Sequence, residues 1–260
     1  MLDHFFVQNG GGFPDHPHRG QETITYIIQG AFDHEDFLGN AGTIEAGGLQ
    51  FMTAGRGIMH AEIPKTGSDG KDARGFQLWV DLPKKLKMCE PRYRDLLANE
   101  IPQVKLDDDK VAVKVISGQS HGVDSVKELA YTPVWLLDVT IKPGGRLVQN
   151  LPVGWNAFAY SWEGTTTFGV GRDAAVVPKF HNTIFEQEGD AVIAENDAGN
   201  DEDVRFSKCL LHLSLSNLGY TDILDSLDRW ASSRSEGGSI WYVPALAYFG
   251  SIVESKLMLL

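Results

Sequence analysis

Glycine cuts this chain into short β-rich segments. ETITYIIQG, GLQFMTAG, GFQLWVDL, VAVKVISG, VWLLDVTIKPGG and AFAYSWEG occur in turn along the sequence. Threonine, aromatic and β-branched residues favour a pleated, half-buried surface, and glycine supplies the turn conformations between such segments. Repeated at close intervals, the pattern predicts an all-β fold of barrels or sandwiches. The exception is EPRYRDLLANEIP at residues 90 to 102. Proline near both ends and helix formers between them predict a short helical linker there.

A chain of 260 residues admits one large or two medium domains. A weak internal repeat favours two, because QETITYIIQG (Gln21 to Gly30) aligns without gaps on WNAFAYSWEG (Trp155 to Gly164). A second correspondence sets GGLQF (Gly47 to Phe51) against GDAVI (Gly189 to Ile193). The expected organisation is a first barrel over 1–95, a linker over 96–102, a second barrel over 103–215 and a tail over 216–260. In the tail, Ile223, Leu224, Leu227 and Trp230 recur at helical spacing. The apolar stretch from Ile240 to Val253 is short for a bilayer span and is interrupted by Pro244, so no membrane insertion is expected.

A hydrophobic content of 42% and an aromatic content of 10% belong to a folded globular protein. The net charge of −12 repels the phosphate backbone that supplies most nucleic-acid affinity, so direct DNA or RNA binding is not expected. Cys89 and Cys209 have no metal-ligand spacing and are too few for a disulfide framework. The N-terminal MLDHFFVQNGGG has no basic region followed by an apolar core. No secretory signal is therefore read, and a reducing compartment, nucleus or cytoplasm, is expected.

Two histidine pairs carry the chemistry: His16-Pro17-His18 in FPDHPHRGQET and His60-Ala61-Glu62 in TAGRGIMHAEIP. On a strand, residues i and i+2 point to the same face, so each pair presents two ligand atoms side by side. Either pair alone is a weak signal, since short motifs recur by chance. Together, on glycine-bounded strands, they offer three imidazoles and a carboxylate to one ion. Such a mixed nitrogen and oxygen set suits divalent iron, with manganese, nickel, copper or zinc open by affinity alone. Four ligands on an octahedron leave two positions for substrate, dioxygen or water, which marks a catalytic rather than a structural site.

Glu22 lies four residues after His18 and is open as a ligand in place of Glu62, or as a group that orients an imidazole. Carried through the repeat, His16 falls on Asn150 and His18 on Pro152, so metal is expected in the first half alone. His4, His34, His121, His181 and His212 lack such partners and are read as surface or core residues. GAFDHEDFLGN, residues 30 to 40, is read as the rim of a polar hairpin, ahead of a reading in which His34, Glu35 and Asp36 line a mouth above the metal. The acidic runs at 107–109 and 201–203 lack the pattern of a calcium loop and are read as solvated.

GGFPDHPHRGQET, HEDFLGNAGTIEAGGLQFMTAGRGIMHAE, Phe76-Gln77-Leu78-Trp79-Val80 and EPRYRDL together resemble the pirin family. The likeness continues more loosely through VAVKVISG, Pro152 to Trp155 and EQEGDAV. The resemblance implies a bicupin of two β-barrels with one Fe(II) in the first, held by His16, His18, His60 and Glu62. It thus favours Glu62 over Glu22 as the fourth ligand. It further implies one of two roles. The first is a quercetin 2,3-dioxygenase-type reaction on a flavonol, with Glu62 or Glu22 as the candidate catalytic base. The second is a metal-dependent nuclear transcriptional co-regulator that binds protein partners such as transcription factors without catalysis. Compared with the family pattern, this chain begins inside it, so the first barrel is expected to lack N-terminal strands. Beyond about Ser216 the family's closing segment is not recognisable.

Overall fold

The computed structural model describes residues 1–8, 10–127, 130–186, 189–211 and 241–244. Strands dominate, with two short 3₁₀ turns and no α-helix among the described residues. The first unit comprises β1 (Leu2–Val7), β2 (Phe13–His18), β3 (Gln21–Gln29), β4 (Ala31–Asp36), β5 (Ala41–Glu45), β6 (Leu49–Thr53), β7 (Ile58–Lys65), β8 (Ala73–Asp81) and β9 (Arg92–Leu96). The second comprises β10 (Gln103–Leu106), β11 (Val111–Ser117), the small hairpin β12 (Gln119–Ser120) and β13 (Val123–Asp124), and β14 (Val134–Ile141) to β21 (Val204–Leu211). Between those last two lie β15 (Arg146–Asn150), β16 (Asn156–Glu163), β17 (Thr165–Phe168), β18 (Ala175–Pro178), β19 (His181–Phe185) and β20 (Ala191–Glu195). A last strand, β22 (Trp241–Pro244), runs antiparallel to β1.

The two units repeat one topology. In the first, the sheets run β1-β8-β3-β6 and β2-β7-β4-β5; in the second, β14-β21-β16-β19 and β15-β20-β17-β18. Taken in chain order, β1 to β8 thus correspond one to one with β14 to β21. The alignment of Gln21–Gly30 on Trp155–Gly164 is the pairing of β3 with β16 that this topology requires. The second sequence correspondence is corrected: Gly47–Phe51 leads into β6, whose counterpart is β19, whereas Gly189–Ile193 leads into β20, the counterpart of β7. Glycine before an apolar run opens several strands here, and that signal does not say which.

The expected helix within 90–102 is also corrected. Arg92–Leu96 is a strand that pairs with β6 from Leu49↔Leu96 to Thr53↔Arg92. The open edge of β6 offers this segment a ladder of hydrogen bonds, and that tertiary gain overrides a weak local helix preference. The predicted tail helix and most of the apolar terminal stretch lie outside the described residues. No helix among the described residues is long and apolar enough to cross a membrane.

Two faces of the first sheet do different work. Ile24, Tyr26, Leu49, Phe51, Phe76, Leu78 and Val80 pack with Ile116, Val134, Leu136, Tyr160 and Trp162 of the second unit. The opposite faces of β3 and β8 turn into the first barrel. Mid-strand Gly75 serves this crowding, since a Cβ there would stand 2.5 Å from the Tyr26 carbonyl oxygen and 2.6 Å from the Phe5 ring. The second barrel is filled with apolar side chains, among them Val113, Leu137, Val139, Phe168, Phe185, Val192 and Phe206. The first barrel keeps a polar interior, with Thr23, Thr25, Gln50, His34, His60 and Glu62 all buried. That contrast places the candidate site.

Candidate metal centre

Strands β2 and β7 bring the two histidine pairs together. Their antiparallel register sets His16 opposite His60 and His18 opposite Ile58. An irregularity between Phe13 and His16 lies just before the first histidine; such bulges re-aim side chains at functional sites. Along β7, burial alternates strictly, so His60 and Glu62 point inward while Met59 and Ile63 face solvent. One nitrogen from each of His16, His18 and His60 lies within 4.8 Å of the others. The ring centroids are 4.5 Å apart for His16 and His60, 4.8 Å for His16 and His18, and 4.9 Å for His18 and His60. Glu62 Oε2 stands 3.9 Å from His16 Nε2 and 4.0 Å from His60 Nε2.

The tautomers suit a cation. His16 Nδ1 is 2.8 Å from the Pro14 carbonyl oxygen, which can only accept, so Nδ1 carries the proton and Nε2 keeps its lone pair. His18 Nδ1 is 2.7 Å from the Gln21 side-chain amide. Gln21 Nε2 is the atom that faces it; turned by 180° the amide presents Oε1 to an Nδ1–H instead, and His18 Nε2 is then free as a ligand. His18 Nε2 and both nitrogens of His60 are buried without a hydrogen-bond partner. Orphaned buried polar atoms of this kind cost about 1–3 kcal/mol each. The three converging imidazoles, with the Glu62 carboxylate beside two of them, would satisfy these atoms with an ion, and the donor set fits a divalent transition metal.

Burial sets the charge state. It holds His60 down at about 3 and His18 at about 4, with the neighbouring His16 adding to both shifts. Both imidazoles are therefore neutral at pH 7, the form that binds metal. Burial raises the Glu62 carboxyl, while His16 and the Gln77 hydrogen bond pull it back. The rim is partly open at His16, whose side chain is 30% exposed. The Trp79 ring lies 5.0 Å from the His18 ring.

Glu22 is not brought to this centre. It sits on the other face of β3, and its carboxylate accepts hydrogen bonds from Thr53 Oγ1 at 2.8 Å, Tyr131 N at 3.0 Å and Thr132 N at 3.1 Å. Its role is to join the first barrel to the connection that enters β14. The preceding residue, Gln21, reaches His18 instead. Residues 30–40, expected as a hairpin, hold β4 and the turn into β5, with which β4 pairs antiparallel. His34 and Asp36 on β4 are buried opposite Glu62 and His60, and His34 Nε2 pairs with Asp95 Oδ2 at 2.8 Å. His4 is a core residue between the barrels, hydrogen-bonded to Tyr160 and Arg74. Sequence reading missed Gln21, Thr25 and Gln77 around the centre, because β3 is buried on both faces and its residues show no alternation that would single them out.

A family model described as Pirin matches residues 3–80. A pirin-like protein of Solanum lycopersicum is 49% identical over 185 residues, which cover 71% of this chain and 61% of that protein. A putative pirin-like protein of Arabidopsis thaliana is 42% identical over 205 residues, 79% of this chain and 72% of the relative. The chain thus spans about three fifths of the length of the tomato protein. Among solved structures, quercetin 2,3-dioxygenase from Acinetobacter baumannii superposes with a TM-score of 0.70 at 25% identity, covering 88% of this chain and 83% of that one. The repeated eight-strand topology, the histidine centre in the first barrel and these likenesses agree: the fold is a bicupin, and the chain belongs to the pirin family.

Proposed function

We propose that this chain is an iron-binding pirin whose first barrel carries out a quercetin 2,3-dioxygenase-type reaction on a flavonol. The observation that carries the reading is the convergence of His16, His18 and His60, with three buried imidazole nitrogens that have no other partner. His16, His18, His60 and Glu62 would hold the ion. When bound, Fe(II) supplies Lewis acidity toward a ring oxygen and redox chemistry with dioxygen. The chain's own part is to position and to move a proton. Glu62, whose carboxyl burial raises, is the group suited to take the proton of a flavonol hydroxyl. Glu22 is occupied elsewhere and is not assigned to this step.

The experiment is elemental analysis of the purified chain, followed by anaerobic loading with Fe(II) and addition of quercetin and air. One iron per chain with loss of flavonol absorbance, abolished in His16→Ala and His60→Ala, is the expected result. Iron at full occupancy without flavonol consumption would sink the dioxygenase reading.

One observation favours a second reading, a metal-dependent co-regulator of transcription in the nucleus and cytoplasm that binds protein partners. Strand β3 carries Gln21 and Thr25 toward the metal centre on one face and Glu22 and Tyr26 toward the second barrel on the other. A change at the centre therefore has a direct mechanical route to the seam between barrels. Such a switch needs a partner with different affinities for two states, and equal binding to the apo, ferrous and ferric forms would rule it out.

A further inference from the structure

Glu62 projects from β7 across the barrel and is met by two side chains of the opposite sheet. Gln77 Nε2 on β8 lies 3.2 Å from Glu62 Oε2, 3.4 Å from Oε1 and 3.0 Å from Thr25 Oγ1. Thr25 Oγ1 on β3 lies 3.4 Å from Glu62 Oε1. Thr25 and Gln77 are themselves cross-strand partners, so the two donors are set side by side by the register of β3 and β8. The amide of Gln77 has two hydrogens: one serves the threonine oxygen, the other is shared by the two carboxylate oxygens. The threonine hydroxyl, having accepted, donates to Oε1. Both side chains thus donate to the carboxylate and fix its orientation. Thr25 and Glu62 are buried, so bulk water does not stand in for a lost partner. Thr25 engages Oε1 and Gln77 both oxygens, while Oε2 is the oxygen that lies near His16 and His60.

We infer that Thr25 and Gln77 are positioning residues that fix the Glu62 side chain with Oε2 directed at His16 and His60, and so set how tightly the centre takes a divalent cation. This rests on the reading of the centre as a metal site. The assignment makes the cradle a part of the binding site that lies entirely on the sheet opposite to the histidines.

The test uses the full chain, metal-free, with Co(II) as the probe: its affinity by chelator competition and its visible spectrum, beside the thermal midpoint of each apo protein. Thr25→Val keeps the shape and removes the hydroxyl, and Gln77→Leu removes the amide. Both are expected to weaken Co(II) binding by about 10- to 100-fold, the usual effect of losing a group that orients a ligand, and to alter the spectrum. Thr25→Ser retains the hydroxyl and is expected to bind within about threefold of the unaltered chain. In a Glu62→Ala background, Thr25→Val should cost no further affinity, a result that general destabilisation would not produce. Unchanged affinity and spectrum in Thr25→Val and Gln77→Leu overturn the inference, as does Thr25→Ser binding as weakly as Thr25→Val. Should Gln77→Leu fail to fold, the Thr25 series and the Glu62 background decide alone. Failure of the unaltered chain to bind Co(II) would instead overturn the metal-site reading beneath it.

Discussion

His16 and His60 face each other directly across the β2 and β7 ladder, with ring centroids 4.5 Å apart. The pair couples two distant stretches of sequence into one centre, and it fixes what removal of either ring should do. His60 is buried with both nitrogens unpartnered, which is unfavourable in the metal-free protein. His60→Leu should abolish stoichiometric metal binding yet leave the apo protein as stable as, or more stable than, the unaltered chain. Adding metal at about 100 times its dissociation constant should stabilise the unaltered chain by about 2.7 kcal/mol and leave the variant unmoved. Thermal melts with and without metal read both effects.

Acid should destabilise the metal-free protein well above the pH at which carboxylates titrate. Burial lowers His4 to about 2, His60 to about 3 and His18 to about 4, from an ordinary value of 6.5. Below pH 6.5 the unfolded chain therefore binds protons that the folded chain refuses, so stability is complete above that pH and is lost as pH falls toward the folded values. Each such histidine contributes a slope of about 1.4 kcal/mol per pH unit. Glu62 and Asp3, both raised by burial and Asp3 to about 6, act in the opposite sense, losing stability as pH rises through their folded values. Urea denaturation between pH 7.5 and 5 measures the sum, and the same slope in the unaltered chain and in His60→Leu would contradict neutral burial of the His60 ring.

Glu22→Gln should separate structure from chemistry. The substitution removes a charged acceptor shared by Thr53 Oγ1, Tyr131 N and Thr132 N. A loss of about 2–3 kcal/mol in unfolding free energy is expected, because hydrogen bonds to charged groups are worth more than neutral ones. Metal stoichiometry at saturating metal should stay at the unaltered value. Loss of metal in a folded Glu22→Gln protein would return Glu22 to the centre.

The seam between the barrels holds a second buried polar link. Tyr26 Oη donates to Asp138 Oδ2 at 2.8 Å and accepts from Lys114 Nζ at 3.2 Å, while Arg205 Nη2 reaches the same Asp138 oxygen at 3.0 Å. Tyr26→Phe should cost about 1.5–3 kcal/mol, since the carboxylate it serves remains buried. Chemical denaturation of the metal-free protein gives the number directly.

The sequence by itself determined the β class, the two-unit repeat through β3 and β16, and the metal-ligating candidates, because alternation along a strand is a local rule that needs no partner to be read. His60 and Glu62 obey it on β7, where one face is wet and one dry. Tertiary structure decided what lies on doubly buried strands. On β3, residues 22 to 27 are all buried, so hydropathy does not say that Gln21 and Thr25 face the metal centre and Glu22 faces the second barrel. That choice is made by the sheet's position between two cores, which also turned residues 92 to 96 from an expected helix into an edge strand. The cradle of Thr25 and Gln77 around Glu62 was illegible for the same reason: its members come from three strands, and only their packing across the barrel brings them together.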